Sequence, residues 1–218
     1  MSFGADYFEG ETSPYKQGYG SAGVQVEKIH RLVEGYTRRN LKHVSRMLDI
    51  GCAYGYFLKG WEGKGIELYG TDISEHAIAR ARDIVDARLA VADVQQRMPF
   101  EDGFFDVITM FEVIQMTQNP AFALQEVHRL LRPGGLFFVT TPNVNSLFRI
   151  VRRQKWTGFR DPAHLYLFTA TSLAFLLKRS DFQVLQVRTP QLWPFPRRLV
   201  KLSSNLPFGS GLWAVATK

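Results

Sequence analysis

Short apolar segments alternate with helical patterns through residues 46–141, and this alternation limits the possible folds more than any other feature of the sequence. The strand-like segments are RMLDI, IELYGTDI, RLAVADV, FDVITMF and LFFVTT. Between the second and third, SEHAIARARDIV places apolar residues at helical spacing behind a Ser74 cap. Strands that alternate with helices predict a mostly parallel sheet with helices on both faces.

The rest of the chain extends this pattern. Apolar residues at helical spacing predict a helix from Val24 to Arg39, and Asn119 with Pro120 provides the cap and first-turn proline of a helix that RPGG ends. Beyond Pro142, ATSLAFLLKRS predicts a helix, and FQVLQVRT and GLWAVATK predict two strands that pair antiparallel. We therefore expect an α/β, doubly wound, seven-stranded and mostly parallel sheet with an antiparallel C-terminal edge strand.

The turn after the first strand, DIGCAYG, combines an acid with small residues: Asp49 precedes Gly51, Ala53 and Gly55. In an open parallel sheet, ligands bind beyond the carboxyl ends of the strands, where the strand order reverses. Small residues there let backbone N–H groups and the start of the next helix approach a ligand. A tight turn needed only for helix packing would have the same composition.

Acidic residues also end the next two strands. Asp72 lies 21 positions after Gly51, and a carboxylate at this place can accept hydrogen bonds from both hydroxyls of a ribose. Asp93 could accept from an exocyclic amine of adenine, although a carboxylate that caps the following turn is an alternative. Together these acids predict a nucleoside ligand.

Two classes of nucleoside ligand fit this arrangement. A dinucleotide site favours G-x-G-x-x-G, whereas Ala53 replaces the middle glycine here and Phe57 lies near the place of the third. Asp49, two residues before the first glycine, would repel a pyrophosphate and attract a cation such as a sulfonium. These features favour S-adenosylmethionine over a nicotinamide dinucleotide, which remains a distant alternative.

The segments LDIGCAYGYFL, YGTDIS and LLRPGGLFFVTTPN resemble motifs of the class I S-adenosylmethionine-dependent methyltransferases, and the resemblance covers nearly the whole chain. It implies a Rossmann-like fold, S-adenosylmethionine as cofactor, S-adenosylhomocysteine as product and in-line methyl transfer to O, N or C. The segment after Lys155 is similar to a subgroup associated with ubiquinone-type, sugar and cell-envelope modification, which favours a small-molecule acceptor. The cofactor contacts that the resemblance implies are Asp49, Gly51, Cys52, Ala53, Gly55, Asp72, Ile73, Asp93, Val94 and Phe111.

The acceptor side is less clearly marked. The subgroup commonly carries Glu-His after the fourth strand, where this chain has Ile114 and Gln115, so a non-catalytic cofactor-binding module is an alternative. His164 is the candidate general base, although a histidine that bonds a loop carbonyl is the commoner case. Glu112 could face the ligand or be a solvated acid, and it stays unassigned. The five histidines are scattered, so no metal site is predicted.

The expected organisation is an N-terminal arm and helix over residues 1–40, then a methyltransferase domain over 41–218 with a substrate-side insertion at about 142–168. The first 22 residues are rich in Gly, Tyr and Ser without a clear period, so we expect an irregular arm. Tyr15 and Tyr19 in this arm could close over the cofactor as a lid, or the arm could pack elsewhere.

Charge gives only a general indication of partners. The 27 Lys and Arg residues against 20 Asp and Glu give a net charge of +7, which favours anionic partners. Basic and aromatic residues alternate over 148–160, which would suit RNA. Together with PRRLVK at 196–201, this segment could instead bind a phosphate-bearing substrate or lie on an anionic membrane surface. We favour a small, anionic or phosphate-bearing acceptor over nucleic acid.

Two further expectations concern the cellular setting. The lone Cys52 cannot form an internal disulfide, which is typical of a reducing, cytoplasmic environment. No apolar run approaches the length of a membrane span. The sequence does not predict an oligomeric state.

Overall fold

The computed structural model describes residues 3–10, 23–189 and 209–218. The predicted helices and strands are present, and a short N-terminal helix is added to them. The helices are α1 Ala5–Glu9, α2 Gly23–Asn40, α3 Tyr56–Lys59, α4 Glu75–Arg82, α5 Pro120–Leu130, α6 Leu147–Arg152, α7 Thr157–Arg160 and α8 Ala170–Arg179. The strands are β1 Arg46–Ile50, β2 Glu67–Asp72, β3 Arg88–Val91, β4 Phe105–Phe111, β5 Leu131–Pro142, β6 Gln183–Arg188 and β7 Gly211–Thr217.

The strands form one sheet in the order β3-β2-β1-β4-β5-β7-β6. The pairs among β1 to β5 are parallel, and β7 runs antiparallel to both β5 and β6. The expected doubly wound, mostly parallel α/β sheet with an antiparallel C-terminal strand is therefore confirmed. One detail differs from the expectation, because β6 takes the edge and β7 lies one place inside it.

Side chains alternate between the two faces of the sheet and build a core on each. Met47 and Val107 pack with α2, α3 and α4 on one face, whereas Leu48 and Ile108 pack with α5 and α8 on the other. The period of two in the strands thus separates two apolar layers. Because α2 contributes the fully buried Val33 to the first layer, it is an integral part of the core. The division of the chain at residue 40 stays a prediction.

Strand β1 is at the point where the strand order reverses, since it pairs with β2 on one side and β4 on the other. In this register Asp49 lies beside Gly70 of β2 and Thr109 of β4. The chain leaves these neighbouring strands in opposite directions, which opens a crevice beyond their carboxyl ends. The predicted cofactor residues of β1 and β2 meet at this crevice.

Residues 143–168 form an excursion whose two ends meet. The backbone N–H of Val144 donates to the Phe168 carbonyl at 3.0 Å, and Asn143 forms a β-bridge with Phe168. Between these ends lie α6, a 3-10 turn over Arg153–Lys155 and α7. The segment corresponds to the insertion expected at about 142–168, and its place on the substrate side stays a prediction.

The N-terminal arm differs from its expected irregular conformation, because Ala5–Glu9 form α1. Five residues are too few for a stable isolated helix, so tertiary contacts hold it. Phe8 packs against Tyr54 with ring centroids 5.2 Å apart, and Glu9 accepts a hydrogen bond from the Tyr54 hydroxyl at 2.7 Å. Tyr15 and Tyr19, the candidates for a lid, lie outside the described residues.

Candidate active site

A cavity of about 270 Å³ lies beyond the carboxyl ends of β1 to β4. Its walls come from the turns after these strands, from α2 and from α1. Most of the residues predicted to bind the cofactor line this one space. They are Asp49, Gly51, Cys52, Ala53, Asp72, Ile73, Asp93, Val94 and Phe111.

The turn after β1 needs small residues for packing as well as for access. Gly51 has φ of 73°, and a Cβ added there would lie 2.2 Å from Cγ2 of Val113. Gly55 has φ of 77° at the start of α3, and a Cβ there would lie 2.6 Å from Cγ1 of Val85. Gly55 is not among the residues that line the cavity, so its contact with the cofactor stays a prediction. Packing alone explains why position 55 is glycine.

Ala53 replaces the middle glycine of the G-x-G-x-x-G pattern, and its φ of 47° is in the left-handed region. Its backbone N–H donates to Oδ2 of Asp72 at 2.9 Å. The N–H groups of Gly51 and Cys52 both donate to the Thr71 carbonyl, at 2.7 and 3.0 Å. The turn after β1 is therefore bonded directly to the end of β2, which fixes its conformation next to the cavity.

Asp72 is a buried carboxyl group held by backbone donors. Its Oδ2 accepts from Ala53 N–H, and its Oδ1 accepts from Ser74 N–H at 2.9 Å. Burial raises its pKa, and the backbone hydrogen bonds to Ser74 and Ala53 oppose that rise. A carboxylate offers about four lone-pair sites, so both oxygens can still accept from a ligand in the cavity. This is the donor–acceptor match that ribose hydroxyls require.

Asp49 lies at the inner end of the cavity and is 3% exposed. Its pKa is raised to about 7, because burial and the charge of Asp72 together outweigh the lowering effect of a 2.6 Å hydrogen bond from Thr109 Oγ1. Two carboxyl groups thus compete for ionisation in the same cavity. A cation placed between them would relieve that repulsion, because an opposite charge favours the ionised form.

The adenine-side prediction concerns the turn after β3. Asp93 lines the cavity, and its Oδ1 accepts from the backbone N–H of Gln95 at 2.9 Å. It therefore caps its own turn through Oδ1. Val94 is buried beside it, and Ile73 presents a side chain that is 49% exposed. These two side chains give the cavity apolar walls, which a flat, apolar ring would require.

The N-terminal segment that contains α1 contributes a wall through Phe3, Tyr7 and Phe8, which were not among the predicted contacts. The Ser74 hydroxyl donates to the Phe3 carbonyl, so the segment is attached to the same turn that holds Asp72. Tyr7 donates from its hydroxyl to Oδ2 of Asp161 at 2.9 Å. The N-terminal segment therefore connects the cofactor end of the cavity to the 143–168 excursion. Contacts so distant in sequence leave no local signal.

Glu112 lines the other end of the cavity, directly after β4. Its φ of 57° is unusual for a residue with a side chain. Its Oε1 accepts from Thr140 Oγ1 at 2.9 Å and its Oε2 from Gln115 Nε2 at 3.2 Å. The surrounding protein raises its pKa, and Thr140, His164 and Gln115 oppose that rise. Glu112 thus lines the cavity and is at the same time exposed to solvent, which combines the two alternatives that the sequence left open.

Gln115, which replaces the histidine of the Glu-His pair, is fully buried behind Glu112. Its backbone carbonyl accepts from the N–H groups of Leu165 and Tyr166, at 2.8 and 3.1 Å. Its Oε1 has no hydrogen-bond partner within the described part of the chain. Gln115 therefore anchors the end of the excursion to the turn that carries Glu112.

His164 is close to this end of the cavity but is not among the residues that line it. Its Nδ1 lies 3.0 Å from the Gly158 carbonyl, and its Nε2 lies 3.8 Å from Oδ2 of Asp161. The first contact is the loop–carbonyl bond that was the commoner interpretation. A positive charge on His164 would lower the pKa of Glu112. The role of His164 in the reaction stays a prediction.

The charge of the cavity is opposite to that of the chain. Its described lining contains Asp49, Asp72, Asp93 and Glu112 and no Lys or Arg. An anionic acceptor would find no counter-charge among these residues. Among residues 3–10, 23–189 and 209–218, no group of three or more metal-ligating side chains is present, and no helix is long and apolar enough to cross a bilayer.

Comparison with known proteins identifies the family. The sequence profile described as a methyltransferase domain matches residues 25–187. The chain belongs to this family. The resemblance to class I S-adenosylmethionine-dependent methyltransferases is confirmed, and the family implies S-adenosylmethionine as the cofactor.

Individual relatives show how far the similarity extends. The chain is 34% identical over 117 residues to a ubiquinone biosynthesis O-methyltransferase of Pseudomonas aeruginosa, which covers 49% of each chain. It is 26% identical over 153 residues to the mouse protein arginine-hydroxylase NDUFAF5, mitochondrial, covering 66% of this chain and 44% of that protein. The chain thus spans about half the length of the curated relatives it matches.

A solved structure supports the fold over a greater length. An S-adenosylmethionine-dependent methyltransferase from Archaeoglobus fulgidus aligns with a TM-score of 0.64 at 20% identity, covering 87% of this chain and 94% of that one. This methyltransferase domain therefore has the Rossmann-like fold that its sequence predicted.

Proposed function

We propose that this chain transfers the methyl group of S-adenosylmethionine to a proton-bearing O, N or C nucleophile of a small-molecule acceptor. The observation that carries the proposal is a cavity lined by Asp72 and Asp49 at the ends of β2 and β1 and by Glu112 after the neighbouring strand β4. Bound S-adenosylmethionine supplies an activated methyl group on a positively charged sulfur. The remaining work of the chain is to bind, orient and desolvate the two reactants.

The cofactor residues fit this nucleoside by the chemistry of their free acceptors. Asp72 would accept from the ribose hydroxyls, and Asp93 with Ile73 and Val94 would surround the adenine. Asp49 would face the positively charged sulfur, and the turn from Gly51 to Ala53, whose N–H groups bond Thr71 and Asp72, would form the wall beside the methionine end. Cys52 and Phe111 complete the lining, and the predicted contacts of Gly55, Tyr15 and Tyr19 remain part of the proposal.

Glu112 is the group best placed to receive a proton from the acceptor. It lines the cavity, and a carboxylate there can act as a general base toward a bound acceptor. Thr140 and Gln115 fix both of its oxygens, so its orientation is set before an acceptor enters. In this proposal His164 lowers the pKa of Glu112 and positions the Asp161 loop. It does not act as the base itself.

The residues that line the cavity also indicate the polarity and charge of the acceptor. Phe3, Tyr7, Phe8, Tyr56 and Phe111 give the cavity an aromatic character, and its charged groups are all acidic. A neutral or cationic reacting group on an apolar body suits these walls better than the anionic group expected from net charge. We retain the expectation of a cytoplasmic setting, with Cys52 buried and free.

Two alternatives remain testable. RNA methylation loses some support because Trp156, the largest aromatic residue of the 148–160 segment, is only 2% exposed, whereas Phe159 at 49% exposure keeps a stacking surface. A cofactor-binding module without methyl transfer gains some support from Gln115, and from a relative named as a hydroxylase.

The test uses purified protein and methyl-labelled S-adenosylmethionine with fractions of a cell extract. We expect label in the small-molecule fraction, and its loss in Glu112→Gln with unchanged S-adenosylhomocysteine affinity. Glu101→Gln, an exposed acid outside the cavity, is the matched control. Label only in RNA would support the RNA alternative. Tight cofactor binding with no labelled product in any fraction would favour the binding module.

A further inference from the structure

The 143–168 excursion exposes apolar side chains that a folded domain would normally bury. On α6, Leu147, Ile150 and Val151 are 47%, 56% and 74% exposed. Their spacing of three and four residues places them on one face of the helix. This helix therefore turns its apolar face toward solvent, whereas α5 and α8 turn theirs toward the sheet.

The rest of the excursion continues this surface. Of the thirteen exposed large apolar side chains in the described chain, seven lie between residues 147 and 167. So dense a group of exposed apolar residues marks an interaction site. The seven, which we call the apolar surface, are Leu147, Ile150, Val151, Phe159, Leu165, Tyr166 and Leu167.

Charge identifies the kind of partner. Residues 142–160 contain five Lys and Arg residues and no Asp or Glu, and three of the five, Arg152, Arg153 and Lys155, are exposed. Exposed basic groups beside an apolar helix face are typical of segments that lie in the interface of an anionic bilayer, where headgroups meet cations and acyl chains meet the apolar face. We propose that the apolar surface and these basic residues dock the chain on an anionic lipid membrane.

Other occupants fit less well. The exposed apolar residues of α6 are aliphatic, and Trp156 is buried, so Phe159 and Tyr166 are the two aromatic members of the apolar surface against five aliphatic ones, which favours acyl chains over base stacking. The chain's own residues 190–208 contain Arg197, Arg198 and Lys201 and no acid, so their charge would repel the basic residues of the excursion. A bilayer satisfies both the charge and the aliphatic face.

Docking in this way would bring the cavity close to the membrane. The apolar surface joins the cavity through Leu165 and Tyr166, whose N–H groups bond the carbonyl of Gln115 behind Glu112. An acceptor with an apolar body could then reach the site from the bilayer. The docking itself does not require methyl transfer, so the two proposals can fail separately.

Vesicle co-sedimentation of the full chain tests the proposal. We expect at least about tenfold stronger binding to phosphatidylcholine vesicles with about 30% phosphatidylglycerol than to phosphatidylcholine alone, weakened by high salt. Ile150→Glu with Val151→Glu should reduce the partition constant about tenfold or more. Phe175→Glu, which changes a 63% exposed residue of α8 outside the excursion, is the matched control and should bind as the parent does.

A second pair protects the test against misfolding. Arg153→Gln with Lys155→Gln changes exposed charges only and should lose about tenfold in binding to anionic vesicles, with S-adenosylhomocysteine affinity unchanged. Equal binding to neutral and anionic vesicles, or unchanged binding by both double variants, would overturn the proposal. Release of bound protein by single-stranded RNA would also overturn it. So would a failure of the parent to bind vesicles, whether or not Ile150→Glu with Val151→Glu folds.

Discussion

The two ends of the cavity hold their acidic groups by different means. At the cofactor end, Asp72 accepts from backbone N–H groups of Ala53 and Ser74. At the acceptor end, Glu112 accepts from the side chains of Thr140 and Gln115. Backbone donors are present whatever the side chains are, whereas side-chain donors can be exchanged. The cofactor end is therefore suited to one shared ligand, and the acceptor end to variation among relatives.

The largest effect is expected from Glu112→Gln. Without a proton acceptor at the acceptor end, turnover should fall about 100-fold or more. S-adenosylhomocysteine affinity should stay within about twofold, because the change lies outside the cofactor end. Steady-state kinetics and calorimetry measure the two quantities. A similar loss of cofactor affinity would mean that the two ends are not independent.

Asp49→Asn should raise the stability of the fold at pH 8 while it lowers the affinity for S-adenosylmethionine. The pKa of Asp49 is about 7 in the fold and near 3.8 in the unfolded chain, so the folded state holds the proton longer and loses stability as pH rises from about 4 to 7. Asn removes that loss, so Asp49→Asn should be more stable at pH 8 by at most about 4 kcal/mol.

The stability gain should disappear near pH 4, where both forms are neutral at position 49. Denaturant unfolding at pH 4 and pH 8 measures this difference. S-adenosylmethionine affinity should fall in the same variant, because the carboxylate that faces a cation is lost. An equal change in stability at both pH values would show that Asp49 is not held near neutrality by burial.

Asp72→Ala should weaken S-adenosylhomocysteine binding by roughly 1–3 kcal/mol, because the ribose hydroxyls lose a charged acceptor and Ala53 N–H loses its partner. Asp86→Ala, which changes an exposed acid after α4, is the matched control. Calorimetric titration measures both. Unchanged affinity in Asp72→Ala would remove the ribose assignment and with it the contrast between the two ends.

The smallest effect is expected from His164→Ala. The histidine bonds the Gly158 carbonyl and lies near Asp161, so its loss should loosen the loop beside Glu112 and lower turnover several-fold, with cofactor affinity intact. The pH dependence of turnover distinguishes roles, since a positioning residue leaves its shape unchanged. A loss as large as that of Glu112→Gln would instead make His164 the base.

The same contrast explains what the sequence could predict. Asp49, Gly51 and Asp72 belong to short strand–turn patterns, so their meeting at the crevice follows from local spacing and parallel pairing. Glu112 could not be assigned, because its direction depends on a left-handed backbone conformation that sequence does not reveal. Tyr7 and Asp161 are 154 residues apart, and no local pattern connects them.

The central claim is that the acidic turn after β1 prefers a positively charged sulfur nucleoside to a diphosphate. Side-by-side calorimetric titration with S-adenosylmethionine, S-adenosylhomocysteine and NAD at pH 8 tests it directly. We expect saturable binding of both sulfur nucleosides and none of NAD. Saturation with NAD, and no heat from either sulfur nucleoside, would contradict the account.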